Sequence, residues 1–184
     1  MRTKEARLLT EPLFFDTDCI SAFLWVKEQS ILVKMFPGRI GIPRQTYEEL
    51  SIPEIPHLKS RVDQLIEGGQ AQIVDINFDT EAYELYYRLT EAPTNGHRII
   101  GKGEAACLAL AKTENGIIAS NNLRDIRDYV TEFGVRHITT GEIMVNAYHS
   151  GLISEEQANE IWANMIAKHR RLGAPSFSEY LESM

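Results

Sequence analysis

Leu13-Phe14-Phe15-Asp16-Thr17-Asp18 is the stretch that decides how this 184-residue chain is read. Leu13 to Phe15 are bulky and β-prone, follow Pro12, and read as the start of a buried strand. Asp16 closes the run. Cys19 to Val26 then continues with the length and apolarity of a helix. A strand that delivers an aspartate to its C-terminal end and turns into a helix is how open α/β sheets build their sites. Asp16 or Asp18 also suits helix capping, since a carboxylate there takes up orphan N–H groups. The stretch alone does not separate these two uses.

Working outward, Ser30 to Phe36 is apolar and stops at Pro37-Gly38, a turn signal. Arg39 to Pro43 reads as a second strand. A helix follows around Thr46 to Leu50, where Thr46 and Glu49 have capping-box spacing. Leu58, Val62, Leu65 and Ile66 form a helical stripe ending at Gly68-Gly69. Ala71 to Ile76 is a third strand, and a tyrosine-rich helix covers Thr80 to Thr90. Pro93 to Gly96 is a loop. The small-residue helix Lys102 to Ala111 leads through Asn115-Gly116 to a fourth strand, Ile117 to Ser120. Asn121-Asn122 opens a helix that runs to Phe133, with Gly134 as its C-cap. Val135 to Thr139 is a fifth strand, followed by helices at 141–148, from Ser154, and at 176–181. Strands alternating with helices imply an α/β fold: a three-layer α/β/α arrangement around a mostly parallel five-stranded sheet. If the first and fourth strands are neighbours where the strand order reverses, Asp16 and the Ser120-Asn121-Asn122 turn face one crevice.

The length fits one domain over 1–184, and 43% hydrophobic with 24% charged residues is a globular composition. Met1 to Arg7 is charged and lacks the apolar segment of a signal peptide. No apolar run is long enough to cross a bilayer. Cys19 and Cys107 both fall in expected helices, which suits reduced, buried thiols. These features lead us to expect a cytoplasmic protein with no membrane partner. The net charge of −7 argues against a protein that coats nucleic acid by neutralising its phosphates. It is compatible with an enzyme that gathers carboxylates around metal ions and meets a polyanion through them.

Four segments stand in order: Phe15-Asp16-Thr17-Asp18, Tyr47-Glu48-Glu49-Leu50, Gly103-Glu104-Ala105 and Ala119-Ser120-Asn121-Asn122-Leu123-Arg124-Asp125. With Ile138 to Leu152, this order resembles the PIN-domain nucleases, many of which are toxins of bacterial toxin–antitoxin pairs. The resemblance spans 13–151, leaving the C-terminal helices at 154–184 beyond it. It implies a PIN-like fold and a Mg²⁺- or Mn²⁺-dependent endoribonuclease that hydrolyses single-stranded RNA to 5′-phosphate products. It also implies a cognate antitoxin and a homodimer as partners. Position by position, Asp16 matches the family's first-strand metal ligand. Glu49 matches the glutamate after the second strand, with Glu48 as the fallback, and Glu104 matches the acid that opens the helix before the fourth strand. Where the family usually carries one or two aspartates after that strand, this chain has Asn121 and Asn122. Asp125, one turn further on, is positioned to restore the missing charge, so Asp16, Glu49, Glu104 and Asp125 form the expected catalytic and metal-binding set. Asn121, Asn122, Thr139 and Asp18 are the expected supporting residues.

Each acid has a structural use as well. Glu49 can complete the capping box of Thr46, and Glu104 and Asp125 suit the first turn of a helix. Thr139 and Thr140 suit helix capping better than holding a site water. Arg124 and Arg127 suit either a phosphate contact or surface pairing with Asp125 or Asp128. Lys168-His169-Arg170-Arg171 reads first as a solvated helix end, where cations are favoured. His57, His97, His137 and His149 show no spacing typical of a zinc site. The asparagine pair sustains an alternative: a PIN-like module with weakened catalysis that binds RNA or protein. A flavodoxin-like phosphate site is disfavoured, because no glycine-rich loop follows the first strand.

Overall fold

The computed structural model describes residues 11–93 and 98–184. Five strands, β1 (Leu13–Phe15), β2 (Ile40–Pro43), β3 (Ala71–Val74), β4 (Ile117–Ala119) and β5 (Arg136–Ile138), form one sheet in the order β3-β2-β1-β4-β5. Every neighbouring pair is parallel, so the expected mostly parallel sheet is wholly parallel. The strand order reverses between β1 and β4, where Phe15 lies opposite Ala119. That places the residues following both strands at one topological switch point, the usual crevice of open α/β sheets.

Ten helices among the described residues cover the sheet: α1 (Thr17–Val26), α2 (Gln29–Met35), α3 (Arg44–Leu50), α4 (Pro56–Glu67), α5 (Glu81–Thr90), α6 (Lys102–Thr113), α7 (Leu123–Phe133), α8 (Thr140–His149), α9 (Glu155–Ala167) and α10 (Phe177–Glu182). Side chains alternate across a strand, and β1 uses both faces. Leu13 and Phe15 enter a core built with α1 to α4 and α8 to α10. Phe14 enters the opposite core with α5 to α7. Ile118 follows Phe14, while Ile117 and Ala119 follow Leu13 and Phe15. The three layers therefore follow from short strands that are apolar on both faces.

Most element boundaries agree with the sequence reading to within two residues. The segment after Ser30 is the helix α2. The start of α3 is the main correction. It begins at Arg44 directly after β2, Pro43 stands at its N-cap without a side-chain bond, and Thr46 is buried inside the helix. A strand that runs straight into a helix leaves no room for the expected Thr46 cap, so the capping-box reading of Thr46 and Glu49 is wrong. The expected loop at 93–96 and His97 lie largely outside the described residues.

The C-terminal helices belong to the same core. Trp162 on α9 is fully buried and donates from Nε1 to the Ala174 carbonyl at 3.0 Å. Its ring packs against Phe177 and Tyr180 of α10 at 5.9 and 5.0 Å between centroids. Tyr180 in turn lies flat over Gly141 of α8, where a Cβ would collide with its ring. This aromatic clasp fixes the end of the chain beside the switch point. Both cysteines are free and buried.

Candidate metal centre

Asp16 sits at the end of β1 and is 2% exposed. Its backbone N–H donates to the Ala119 carbonyl at 3.0 Å, which extends the β1–β4 ladder into the crevice. Its Oδ1 accepts from the Cys19 N–H at 2.7 Å, making it the N-cap of α1. Capping and placement at the crevice are therefore two properties of one carboxylate. Burial pushes its pKa up to about 7, against the hydrogen bonds from Ser120 and Cys19 and with the help of the Asp18 and Glu104 charges.

Glu49 reaches the crevice from α3. Its carboxylate accepts from the Thr17 hydroxyl and from the Gly103 N–H at 3.2 Å. A Cβ on Gly103 would lie 3.0 Å from Glu49 Oε2 and 3.3 Å from the Thr46 hydroxyl. Glycine at that position is what lets the first turn of α6 close on α3. Its neighbour Glu48 is exposed and makes no side-chain bond among the described residues.

Glu104 occupies the first turn of α6, and its Oε2 accepts from the Gly101 N–H at 3.3 Å. Glycine has no side chain to return that bond, so only half of a capping box exists. The other oxygen, Oε1, accepts from the Asn122 side-chain amide at 2.5 Å. Burial raises the Glu104 pKa, the charges of Asp125 and Glu49 add to the effect, and the bonds from Asn122 and Gly101 oppose it. Asp125 Oδ2 accepts from the same Asn122 nitrogen at 2.8 Å. One neutral amide thus bridges two carboxylates.

Asn121 points elsewhere. Its Oδ1 accepts from the Thr140 N–H at 2.9 Å, and its Nδ2 donates to the Thr140 hydroxyl at 2.9 Å. It fastens the turn after β4 to the first turn of α8. Thr139 caps that helix in a reciprocal box with Glu142, the structural use expected for it. Ser120, fully buried, donates to Asp16 and accepts from the Asn122 N–H at 3.2 Å, tying the two strand ends together.

Two adjoining depressions result. A recess of about 240 Å³ is lined by Asp16, Asp18, Glu49 and Glu104. An open groove of about 580 Å³ is lined by Asp18, Glu104, Asn121, Asn122 and Asp125 on one side. The expected acids are therefore brought to one place, with Glu104 and Asp18 shared by both depressions. Among the described residues, no three His, Cys, Asp or Glu side chains converge closely enough to grip an ion unaided.

The opposite side of the groove is the part that sequence reasoning missed. His169 and Arg171 line it together with Arg124, and Arg170 donates to Asp18 at 3.4 Å and to Ser21 at 3.3 Å. Lys168-His169-Arg170-Arg171 had read as a solvated helix end, yet three of its members border the site. The available signal was four consecutive basic residues in an acidic chain.

A family model described as a PIN domain matches residues 13–184. The match includes the C-terminal helices, which lie beyond the 13–151 span of the sequence resemblance. No curated protein matches the chain. Among solved structures, a chain of VapBC-1 from nontypeable Haemophilus influenzae superimposes with a TM-score of 0.52 and 14% identity, covering 70% of this chain and 97% of that one. At that identity the likeness concerns the fold. No helix among the described residues is long and apolar enough to cross a membrane. Parallel sheet, switch-point acids and family match agree: the chain belongs to the PIN-domain family.

Proposed function

We propose that the protein is a metal-dependent endoribonuclease acting on single-stranded RNA, with Asp16, Glu49, Glu104 and Asp125 as its acids. The observation that supports this reading most is the crowding of acids around Glu104. Burial and the charges of Asp125 and Glu49 disfavour its ionised form, and Asp16 is disfavoured in the same way by burial, Asp18 and Glu104. Carboxylates held together at this cost are stabilised when a cation joins them.

The donor set fits Mg²⁺ or Mn²⁺. Every candidate ligand offers oxygen, and Mg²⁺ needs only one or two carboxylates because it retains several waters. A site without three convergent protein ligands is therefore compatible with it. Asp16 and Glu104 are the residues that would hold the ion, with Glu49 and Asp125 flanking them. When bound, the ion supplies activation of water and stabilisation of charge on a phosphodiester. The chain's own contribution is orientation: Ser120 and the Cys19 N–H fix Asp16, Gly103 and Thr17 fix Glu49, and Asn122 fixes Glu104 and Asp125. An antitoxin encoded beside this chain and a homodimer are the partners this reading expects.

The test is cleavage of single-stranded RNA with Mn²⁺ and with EDTA by the protein and by Asp16→Asn. Cutting that needs metal and disappears in the variant supports the proposal, and cutting by Asp16→Asn at the original rate overturns the assignment. The Asn122 bridge favours a second reading, a binding module with weakened catalysis, because an amide stands where a charge would strengthen ion binding. Calorimetry with Mn²⁺ separates the two. Binding that is lost in Glu104→Gln supports the nuclease, and no binding to either protein supports the module.

A further inference from the structure

The groove beside the acids has a cationic wall supplied by the end of α9, and the backbone there is held in an unusual conformation. Helix α9 ends in a Schellman turn: the His169 N–H donates to the Ile166 carbonyl at 2.8 Å, and the Arg170 N–H donates to the Met165 carbonyl at 3.0 Å. The residue that takes the left-handed conformation in such a turn is usually glycine. Here it is His169, at φ 60°. A non-glycine residue in that region carries a conformational cost that persists where the surroundings fix it, commonly at functional sites. The reversal of the chain at His169 brings its imidazole and the Arg171 guanidinium to the groove. Arg170, between them, is tied back to Asp18 and Ser21 of α1. Across the groove, Arg124 at the start of α7 adds a second cation. Neither Arg124 nor Arg171 has a carboxylate within 4 Å among the described residues, so both guanidinium groups keep their donors available.

Resting on the nuclease reading, we propose that His169 and Arg171 form a phosphate-binding wall for the RNA strand, holding phosphates that flank the bond placed over the acids. The chemistry suits that task. Arg171 presents a fork of N–H donors to phosphate oxygens, and an imidazole offers at least one N–H in either charge state. A chain with a net charge of −7 repels a polyanion as a whole, so a local cationic wall is what makes an acidic groove approachable. Arg170 acts as a positioning residue, because its own donors are turned toward α1.

The experiment is steady-state cleavage of a randomised single-stranded RNA pool in Mn²⁺ at several salt concentrations, by the full chain and by His169→Gly, Arg171→Gln and the double variant. Each lost phosphate contact on a single strand lowers the salt dependence by about 0.7 in log–log slope, about 1.4 for the pair. The expected result for the double variant is a KM raised roughly tenfold with that reduced slope, and a kcat within twofold. His169→Gly places glycine where the turn prefers it, so its thermal midpoint should hold or rise while KM worsens. A merely structural role moves those two readouts together. If the protein cuts the pool and the double variant shows the same KM and slope, the wall is overturned and the nuclease reading stands. If the protein itself cuts nothing with Mn²⁺, the nuclease reading falls and takes this inference with it.

Discussion

The C-terminal ends of β1 and β4 lie side by side and solve one problem in different ways. Each must start the helix that follows, and each must present polar groups to the crevice. At β1 a single residue does both: Asp16 caps α1 and carries the buried charge. At β4 the work is divided. Asn121 holds the neighbouring helix α8 through Thr140, while Asn122 faces the acids. Support and chemistry are therefore inseparable at Asp16 and separable at the asparagines.

Asp16→Asn should give the largest effect. Asparagine is as good an N-cap as aspartate, so the variant removes the charge and keeps the cap. Metal-dependent cleavage should be abolished. Stability should move the other way. With a folded pKa near 7 against a model value of 3.8, the folded protein binds more protons than the unfolded chain between those values. Without metal, stability is then greatest below about pH 4 and falls as pH rises through 7, at about 1.4 kcal/mol per pKa unit. Urea unfolding in EDTA from pH 4 to 8 should show that decline in the parent protein and a flatter profile in Asp16→Asn. Equal slopes in both proteins would remove Asp16 as the source.

The asparagines test the division directly. Asn121→Ala breaks two bonds to Thr140, whose side chain and neighbours are buried, and should cost about 1–3 kcal/mol in stability. Its Mn²⁺ affinity should stay close to that of the parent. Asn122→Asp should do the reverse. It replaces an amide that bridges Glu104 and Asp125 with a third carboxylate, which should destabilise the metal-free fold by about 1 kcal/mol and tighten Mn²⁺ binding in calorimetry. A large loss of ion affinity in Asn121→Ala, or none of these changes in Asn122→Asp, breaks the comparison.

How much of this was legible follows the same line between local and distant causes. The strands were visible because apolar runs end at turn residues, and the switch point followed from alternation of strands and helices. The acids were visible because each sits on a recognisable element. The Thr46–Glu49 spacing misled because it fits a capping box locally, whereas β2 runs into α3 without a break. Asn121 and Asn122 are alike in sequence, and only the position of Thr140 sends them to different partners. The cationic wall was hidden for a further reason. Basic residues at a helix end satisfy the local dipole, and the clasp of Trp162, Phe177 and Tyr180 that brings them back to the site is a tertiary arrangement.

The smallest effect is expected at Arg170. Its contact with Asp18 spans 3.4 Å, and the two side chains are 23% and 44% exposed. A partly solvated pair of this kind contributes about 0–1 kcal/mol, so Arg170→Met should change the unfolding midpoint little. Its influence on the groove should be larger than its influence on stability, because the guanidinium anchors the turn that carries His169 and Arg171. KM for RNA should rise in Arg170→Met by less than in the His169→Gly, Arg171→Gln double variant, and added salt should narrow the gap between Arg170→Met and the parent. A variant with parental KM at low salt would show that the Schellman turn holds its shape unaided. The acids and the cationic wall would then be independent halves of the groove, joined only by the substrate.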